Sequence, residues 1–383
     1  MSRLQPESYG APATLVTSTT PHGGRLARRL HIDLPLMVGL LFLSGIGLVV
    51  LYSAGEQNPD LVIRQITRLG IGFAVALAVA QIPPRSFQHW APWLYGLGLM
   101  LLIAVLILGE VGKGAQRWLN FGLFRFQPSE LMKIAVPMMA AQYLAGFHFP
   151  PRPRTIAFAA LLIIAPVLLI VKQPDLGTSL LIASAGGFVL LLSGIPKRLI
   201  FSVIGLLTLA MPVIWHLMHD YQRQRVLTFF NPEADPLGAG YHIIQSKIAI
   251  GSGGWFGKGW LNGTQAYLDF LPESSTDFIF AVLGEEFGLT GILVLLAGYL
   301  FVVWRGMIIA IQAQDCFSRL LAGSLTLTFF IYFFVNIGMV TGLLPVVGLP
   351  LPLISYGGSS LVTMMAAFGI LMSIQTHRKL VAS

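Results

Sequence analysis

The residues with chemistry to offer are few, and they sit in short polar islands between long apolar runs. Asp277 follows Glu273–Ser274–Ser275–Thr276 and precedes a run of about 25 apolar residues. A carboxylate at the mouth of such a run has two readings: a functional acid or base, or an acid that complements a helix N-terminus. Glu130 and Lys133 lie three residues apart and so share one helix face, as an internal ion pair or as a working acid and cation. Glu285 and Glu286 lie two turns deeper in the run that Asp277 opens, so at least one faces the interior of a bundle. Asp175, within Gln173–Pro174–Asp175–Leu176–Gly177, reads as a turn or N-cap residue. The glycine-rich run 251–259 lacks the G-x-x-x-x-G-K-[ST] pattern and reads as a backbone turn, not a phosphate loop. His148, His219 and His377 form no zinc pattern, and a single cysteine, Cys316, excludes both a disulfide framework and a cysteine metal cluster.

The elements that must position these residues are read from composition. Of 383 residues, 55% are hydrophobic and only 10% charged, against roughly 25% charged in a soluble globular chain. Such a chain cannot clothe a water-exposed surface. The apolar runs are not alternating, which argues against a β-barrel. The fold class is all-α, a polytopic integral membrane protein with ten transmembrane helices at about 35–54, 65–82, 89–108, 129–146, 155–171, 177–195, 199–218, 276–303, 317–341 and 355–375. Residues 1–33 form a disordered tail and 34–379 a single membrane domain. Two long connections stand out, 109–128 and a large one at 219–275 between the seventh and eighth helices. Within the second, Tyr241–Ile250 reads as an amphipathic piece along the membrane surface. The segment 349–360, with two prolines and a Gly-Gly pair, fits a rigid loop lining a cavity.

Charge assigns the sides. The termini and alternate connections carry thirteen cations and three acids; the other side carries eleven cations and thirteen acids. Basic short loops stay in the cytoplasm, so both termini are cytoplasmic. The net charge of +8 is therefore a topology signal, and nucleic acid is not a partner. The first apolar run is too long for a cleavable signal peptide.

Several stretches together carry a resemblance: Lys113–Gly114–Ala115–Gln116–Arg117–Trp118–Leu119, Gln127–Pro128–Ser129–Glu130, Gln173–Pro174–Asp175–Leu176–Gly177, Leu271–Pro272–Glu273 with Thr276–Asp277–Phe278, and Pro350–Leu351–Pro352–Leu353–Ile354–Ser355–Tyr356–Gly357–Gly358–Ser359. The chain resembles the SEDS family of bacterial shape, elongation, division and sporulation proteins. The segment Val340–Gly348 is more similar to the elongation branch than to the division branch.

The resemblance implies ten helices and a peptidoglycan glycosyltransferase acting on lipid II, a disaccharide-pentapeptide on undecaprenyl pyrophosphate. It implies a class B penicillin-binding protein as partner, besides membrane lipids. It makes Asp277 the catalytic residue and carries the family's Q-P-S-E-x-x-K acid and cation onto Glu130 and Lys133. Transfer from a sugar pyrophosphate needs a base for the acceptor hydroxyl and cations for the leaving group. Lys133, Arg117, Arg223, Lys247 and Lys258 are the candidate substrate contacts. Asp277 is the base or the holder of a divalent cation, Mg²⁺ or Mn²⁺, and no other cofactor is expected. A lipid II flippase and a scaffold without activity are the rival readings.

Overall fold

The computed structural model describes residues 30–112, 115–120, 125–218, 220–234, 239–264 and 273–378. The tail up to residue 29, Lys113–Gly114 and Leu271–Pro272 lie outside the described residues. Helices dominate: α1 (Leu34–Ala54), α2 (Pro59–Ala80), α3 (Pro84–Leu108), α4 (Pro128–Ala145), α5 (Pro153–Lys172), α6 (Leu176–Leu192), α7 (Lys197–Leu217), α8 (Asp220–Phe230), α9 (Ala239–Ser252), α10 (Ile279–Ile311), α11 (Cys316–Val340) and α12 (Ser359–Thr376). Seven of them, α1, α2, α3, α5, α10, α11 and α12, are long and apolar enough to cross a membrane. α4 and α6, at 18 and 17 residues, and α7, at 21, complete ten long helices among the described residues.

The helix boundaries follow local chemistry. α1 starts at Asp33, whose carboxylate accepts from the Leu36 N–H, and α6 at Asp175, which accepts from Thr178 N–H. Pro59, Pro84, Pro128 and Pro153 each open a helix, where the missing N–H costs nothing. α2 begins at Pro59, six residues before the apolar run, and so carries Arg64 as well as Arg68 of the run itself. The connection 109–128 is not a plain loop: it holds a small antiparallel sheet, β1 (Glu110–Gly112), β2 (Ala115–Asn120) and β3 (Arg125–Phe126), in the order β1-β2-β3. Strands of two to six residues leave too little alternation to be read from sequence.

α11 is the central helix, packed by α4, α6, α10 and α12. α12 lies along α2, with Gly369 close under Ala76, and α1 lies along α10. Small residues at such crossings let backbones approach where water provides no driving force. At the end away from Asp277, Arg305 of α10 forks onto Asp33 at 2.5 and 3.0 Å, and His31 stacks on His377 with 4.0 Å between centroids. The last residues before α1 are thereby tied to the ends of α10 and α12.

α10 is not continuous. Gly288 adopts φ 61°, ψ −158°, which splits the helix into two rods. The break leaves backbone groups without helical partners, and the glycine-rich turn after α9 supplies them. Lys258 and Gly259 N–H donate to Glu285 and Glu286 carbonyls at 3.0 Å each, while Leu289 and Thr290 N–H donate to the Gly254 and Trp255 carbonyls at 2.9 and 3.1 Å. Gly257 has φ +80°, and a Cβ there would collide with the Glu286 carbonyl. Gly257→Ala therefore combines left-handed strain with that collision, whereas Gly254→Ala, at φ +57° in open space, carries strain alone. Each strained residue costs about 1–3 kcal/mol, and Gly257→Ala should unfold at clearly lower temperature in detergent than Gly254→Ala. Equal losses would remove the backbone exchange as a stability element.

Candidate active site

Asp277 is half-buried in a turn, 273–278, immediately before α10. The helix N-cap is Phe278, which provides no side-chain cap bond. The turn is pinned from three sides. Tyr356 N–H donates to the Ser275 carbonyl at 2.9 Å, and Ser355 Oγ donates to the Thr276 carbonyl at 2.5 Å. Asn336, fully buried in α11, donates from Nδ2 to the carbonyls of Asp277 (2.9 Å) and Leu349 (2.7 Å). Ser274 Oγ donates to the Ala54 carbonyl at the end of α1, at 3.1 Å. The loop that faces Asp277 contributes Gly348, and a Cβ on that glycine would sit 3.5 Å from Asp277 Oδ2. Glu273 and Leu353, one on each side of this junction, both hold left-handed φ, 55° and 63°. Non-glycine residues in that region store strain, and such strain collects at functional sites.

The second charged cluster is in the first turns of α4. Lys133 Nζ donates to Glu130 Oε1 at 2.7 Å, and both side chains are under a tenth exposed. The ammonium also lies over the Tyr332 ring, 5.3 Å from its centroid. Tyr332 and Ser355 line one small cavity, with the Lys133–Tyr332 contact on one side of it and the Ser355 bond to the Thr276 carbonyl, next to Asp277, on the other. Tyr332 also lines a second pocket, between α4, α11 and α12, with Lys133 in its wall.

The other cations with an expected substrate role are placed as follows. Arg117 Nη2 donates to the Pro174 carbonyl at 2.5 Å, and its Nε lies 3.7 Å from Asp175 Oδ2, so it braces β2 against the α5–α6 turn. Arg223 donates to the Trp215 and His216 carbonyls at 3.0 and 2.7 Å and closes the C-terminal end of α7. Lys258 pairs with Glu285 at 2.6 Å, and Glu285 also accepts from Thr264 N–H and Oγ. Glu286 accepts from Ser53 Oγ, so both acids face inward and hold the 253–264 turn and α1 against α10. Lys247 is exposed on α9 and lies against Gly342, in the connection that carries Gly348.

Three further residues belong to the site. Arg68 of α2 sits 4.1 Å over the Tyr356 ring, beside the pinned turn. Asn336 and Tyr332 hold Asp277 and Lys133 from α11. A lone Asn within Phe333–Phe334–Val335–Asn336–Ile337 of an apolar helix was the available sequence signal, as was Arg68 inside the second apolar run; for Tyr332 there was none. Among the described residues no three of His, Cys, Asp and Glu converge on a metal position. The residues fit only the mode in which Mg²⁺ or Mn²⁺ takes one or two carboxylates and completes its shell with water and substrate phosphate.

Breaking the Glu130–Lys133 pair separates its structural and chemical parts. Glu130→Gln strands a buried ammonium and should cost about 3–5 kcal/mol. Replacing both partners, Glu130→Leu with Lys133→Met, should recover most of that loss. Thermal unfolding of the three proteins is the measurement; a double variant no more stable than Glu130→Gln would contradict a simple ion pair.

With this geometry in place, comparison with known proteins is direct. The family model described as "Cell cycle protein" (FtsW, RodA, SpoVE) matches residues 28–380. Peptidoglycan glycosyltransferase MrdB of Escherichia coli (strain K12) is 54% identical over 355 residues, 92% of this chain and 96% of that protein. Peptidoglycan glycosyltransferase RodA of Treponema pallidum (strain Nichols) is 33% identical, over 90% of this chain and 98% of that one. Among solved structures, a chain from work on the structural coordination of polymerization and crosslinking by a peptidoglycan synthase complex superposes with TM-score 0.80 at 34% identity, covering 91% of this chain and 99% of that chain. Thermus thermophilus rod shape determining protein RodA superposes with TM-score 0.68 at 29% identity, covering 90% and 97%. The match over nearly the whole length, and the multi-pass helical architecture that goes with it, place this chain in the FtsW/RodA/SpoVE family.

Proposed function

We propose that the chain is a peptidoglycan glycosyltransferase that polymerises lipid II into glycan strands during cell elongation. The observation that carries the reading is a half-buried carboxylate, Asp277, pinned beside a cavity in a chain 54% identical over most of its length to a peptidoglycan glycosyltransferase. In the reaction the acceptor sugar hydroxyl gives its proton to the Asp277 carboxylate. The hydroxyl oxygen forms a bond to the donor's anomeric carbon, and the bond from that carbon to the pyrophosphate oxygen breaks. The proton stays on Asp277 until solvent takes it, and undecaprenyl pyrophosphate leaves. The pins on either side of Asp277 keep its carboxylate aimed without a hinge in its own peptide. Lys133 and Arg68 are the cations nearest this junction by their contacts, and Lys247 lies against the loop that faces it; each can meet pyrophosphate charge. Arg117, Arg223 and Lys258 are engaged by the protein and act by holding the outer segments in shape. Were Mg²⁺ or Mn²⁺ to take part, Asp277 would hold it in place of acting as the base, and the ion would supply positive charge for the leaving pyrophosphate.

The partner of this reading is a class B penicillin-binding protein, in keeping with the peptidoglycan synthase complex that supplies one superposing chain. The location is the bacterial inner membrane with both termini cytoplasmic. Reporter fusions at Lys258 and after Ser383 should give opposite readouts, and like readouts would refute that orientation.

Asp277→Asn keeps the side-chain shape and removes the base. Labelled lipid II incubated with the purified, folded variant should yield glycan about two to four orders of magnitude more slowly than with the unsubstituted protein. Near-normal synthesis would transfer the base role to another residue. Transbilayer movement of lipid II without polymer from the unsubstituted protein would favour a flippase, and neither activity would leave a scaffold.

A further inference from the structure

Gln65 of α2 is 1% exposed, and its amide is satisfied on one side. Nε2 donates to the Ser355 carbonyl at 3.3 Å, while Oε1 is buried without a hydrogen-bond partner among the described residues. An unpaired buried acceptor is destabilising. An apolar side chain of the same size, such as methionine, would fill the space without that penalty. Packing therefore does not account for glutamine at this position.

The group that receives its hydrogen bond does. The Ser355 carbonyl and the Tyr356 N–H belong to one planar peptide unit, so fixing the direction of one fixes the other. That N–H donates to the Ser275 carbonyl at 2.9 Å, two residues before Asp277. Ser355 adds a second hold through Oγ, which accepts from Leu351 N–H at 2.7 Å and donates to the Thr276 carbonyl, in the peptide that ends at the Asp277 nitrogen. A peptide whose carbonyl accepts a hydrogen bond is the stronger donor at its N–H. Residues 349–358 form neither helix nor strand, and Leu353 among them holds φ 63°. No regular ladder orients the Ser355–Tyr356 peptide, so side chains must. Arg68, three residues further along α2 and so on the same face, lies 4.1 Å over the Tyr356 ring. One face of α2 thus meets both residues of that peptide.

We infer that Gln65 is a positioning residue for the transfer reaction: from α2 it sets the plane of the Ser355–Tyr356 peptide, and through that plane the aim of the Asp277 carboxylate. The inference rests on the proposed glycosyltransferase reading. It adds α2 to the helices that support the base, beside α11 through Asn336 and α1 through the Ala54 carbonyl.

Gln65→Met keeps the volume and removes both the donor and the unpaired acceptor. In purified full-length protein its thermal unfolding should change little. Its kcat with labelled lipid II should fall about ten- to a hundredfold, the range for a reacting group displaced by up to about 1 Å, with KM little changed. Combined with Ser355→Ala, the two kcat losses should fall well short of additive, because both changes act on one junction. Unchanged kcat, additive losses, or a kcat loss that tracks a fall in thermal stability overturns the inference. A second arm needs no turnover. Hydrogen exchange of the Tyr356 amide, read on peptides covering 351–358, should be about three- to tenfold faster in Gln65→Met, the factor that one neutral hydrogen bond supports, with the bodies of α2 and α12 unchanged. Unaltered exchange, or faster exchange spread along α2 and α12, also overturns it. Failure of the unsubstituted protein to make glycan while this exchange difference persists counts against the glycosyltransferase reading alone.

Discussion

A helix that breaks inside an apolar bundle must have its freed hydrogen-bonding groups satisfied by protein, because hydrocarbon offers no partner. At Gly288 the α10 backbone turns aside, and four backbone bonds to the turn after α9 fill the gap. The rest of the Asp277 side of the molecule depends on that exchange. It fixes the short rod Ile279–Phe287 independently of the long rod below it. It also brings Lys258 and Thr264 onto Glu285, and carries Glu286 to Ser53 on α1. Asp277 stands at the outer end of the short rod, so its position depends in part on a segment about twenty residues earlier in the chain.

The same economy governs the charges. A bundle with so little charge keeps it in pairs: Glu130 with Lys133, Glu285 with Lys258, Asp33 with Arg305, Asp175 with Arg117. Each pair joins separate segments except the first, which is internal to α4. An internal pair does little to assemble the fold, since both partners would lie near each other in any α4 helix. Burying it nonetheless incurs desolvation, which a purely structural role would avoid by using apolar residues. That contrast sets Glu130 and Lys133 apart from the three bracing pairs.

Much of this was legible in the sequence, and the limits have physical causes. The ten apolar runs each became a helix, because hydropathy sums over many residues and tolerates local error. Asp175 became the N-cap its turn suggested, and a helix, Ala239–Ser252, covers Tyr241–Ile250. The strands β1 to β3 were too short to leave a period. The glycine-rich run read correctly as a turn, but nothing local could show that it completes a helix thirty residues away. The roles of Arg117, Arg223 and Lys258 were equally out of reach: a cation's type shows that it can meet phosphate, and only its neighbours show that carbonyls and carboxylates already hold it.

The asymmetry between Asp277 and its surroundings bears on how the site works. Its peptide is clamped by Asn336 and flanked by two residues in left-handed conformations, while its carboxylate is only half-buried and faces a glycine. For the proposed base role, a rigid backbone keeps an approachable carboxylate aimed at the acceptor hydroxyl. The clamp on Asp277 comes from α11, the helix that also presents Tyr332 to Lys133. Asp277 and Lys133 are therefore referenced to one rod, through residues about one helical turn apart on it.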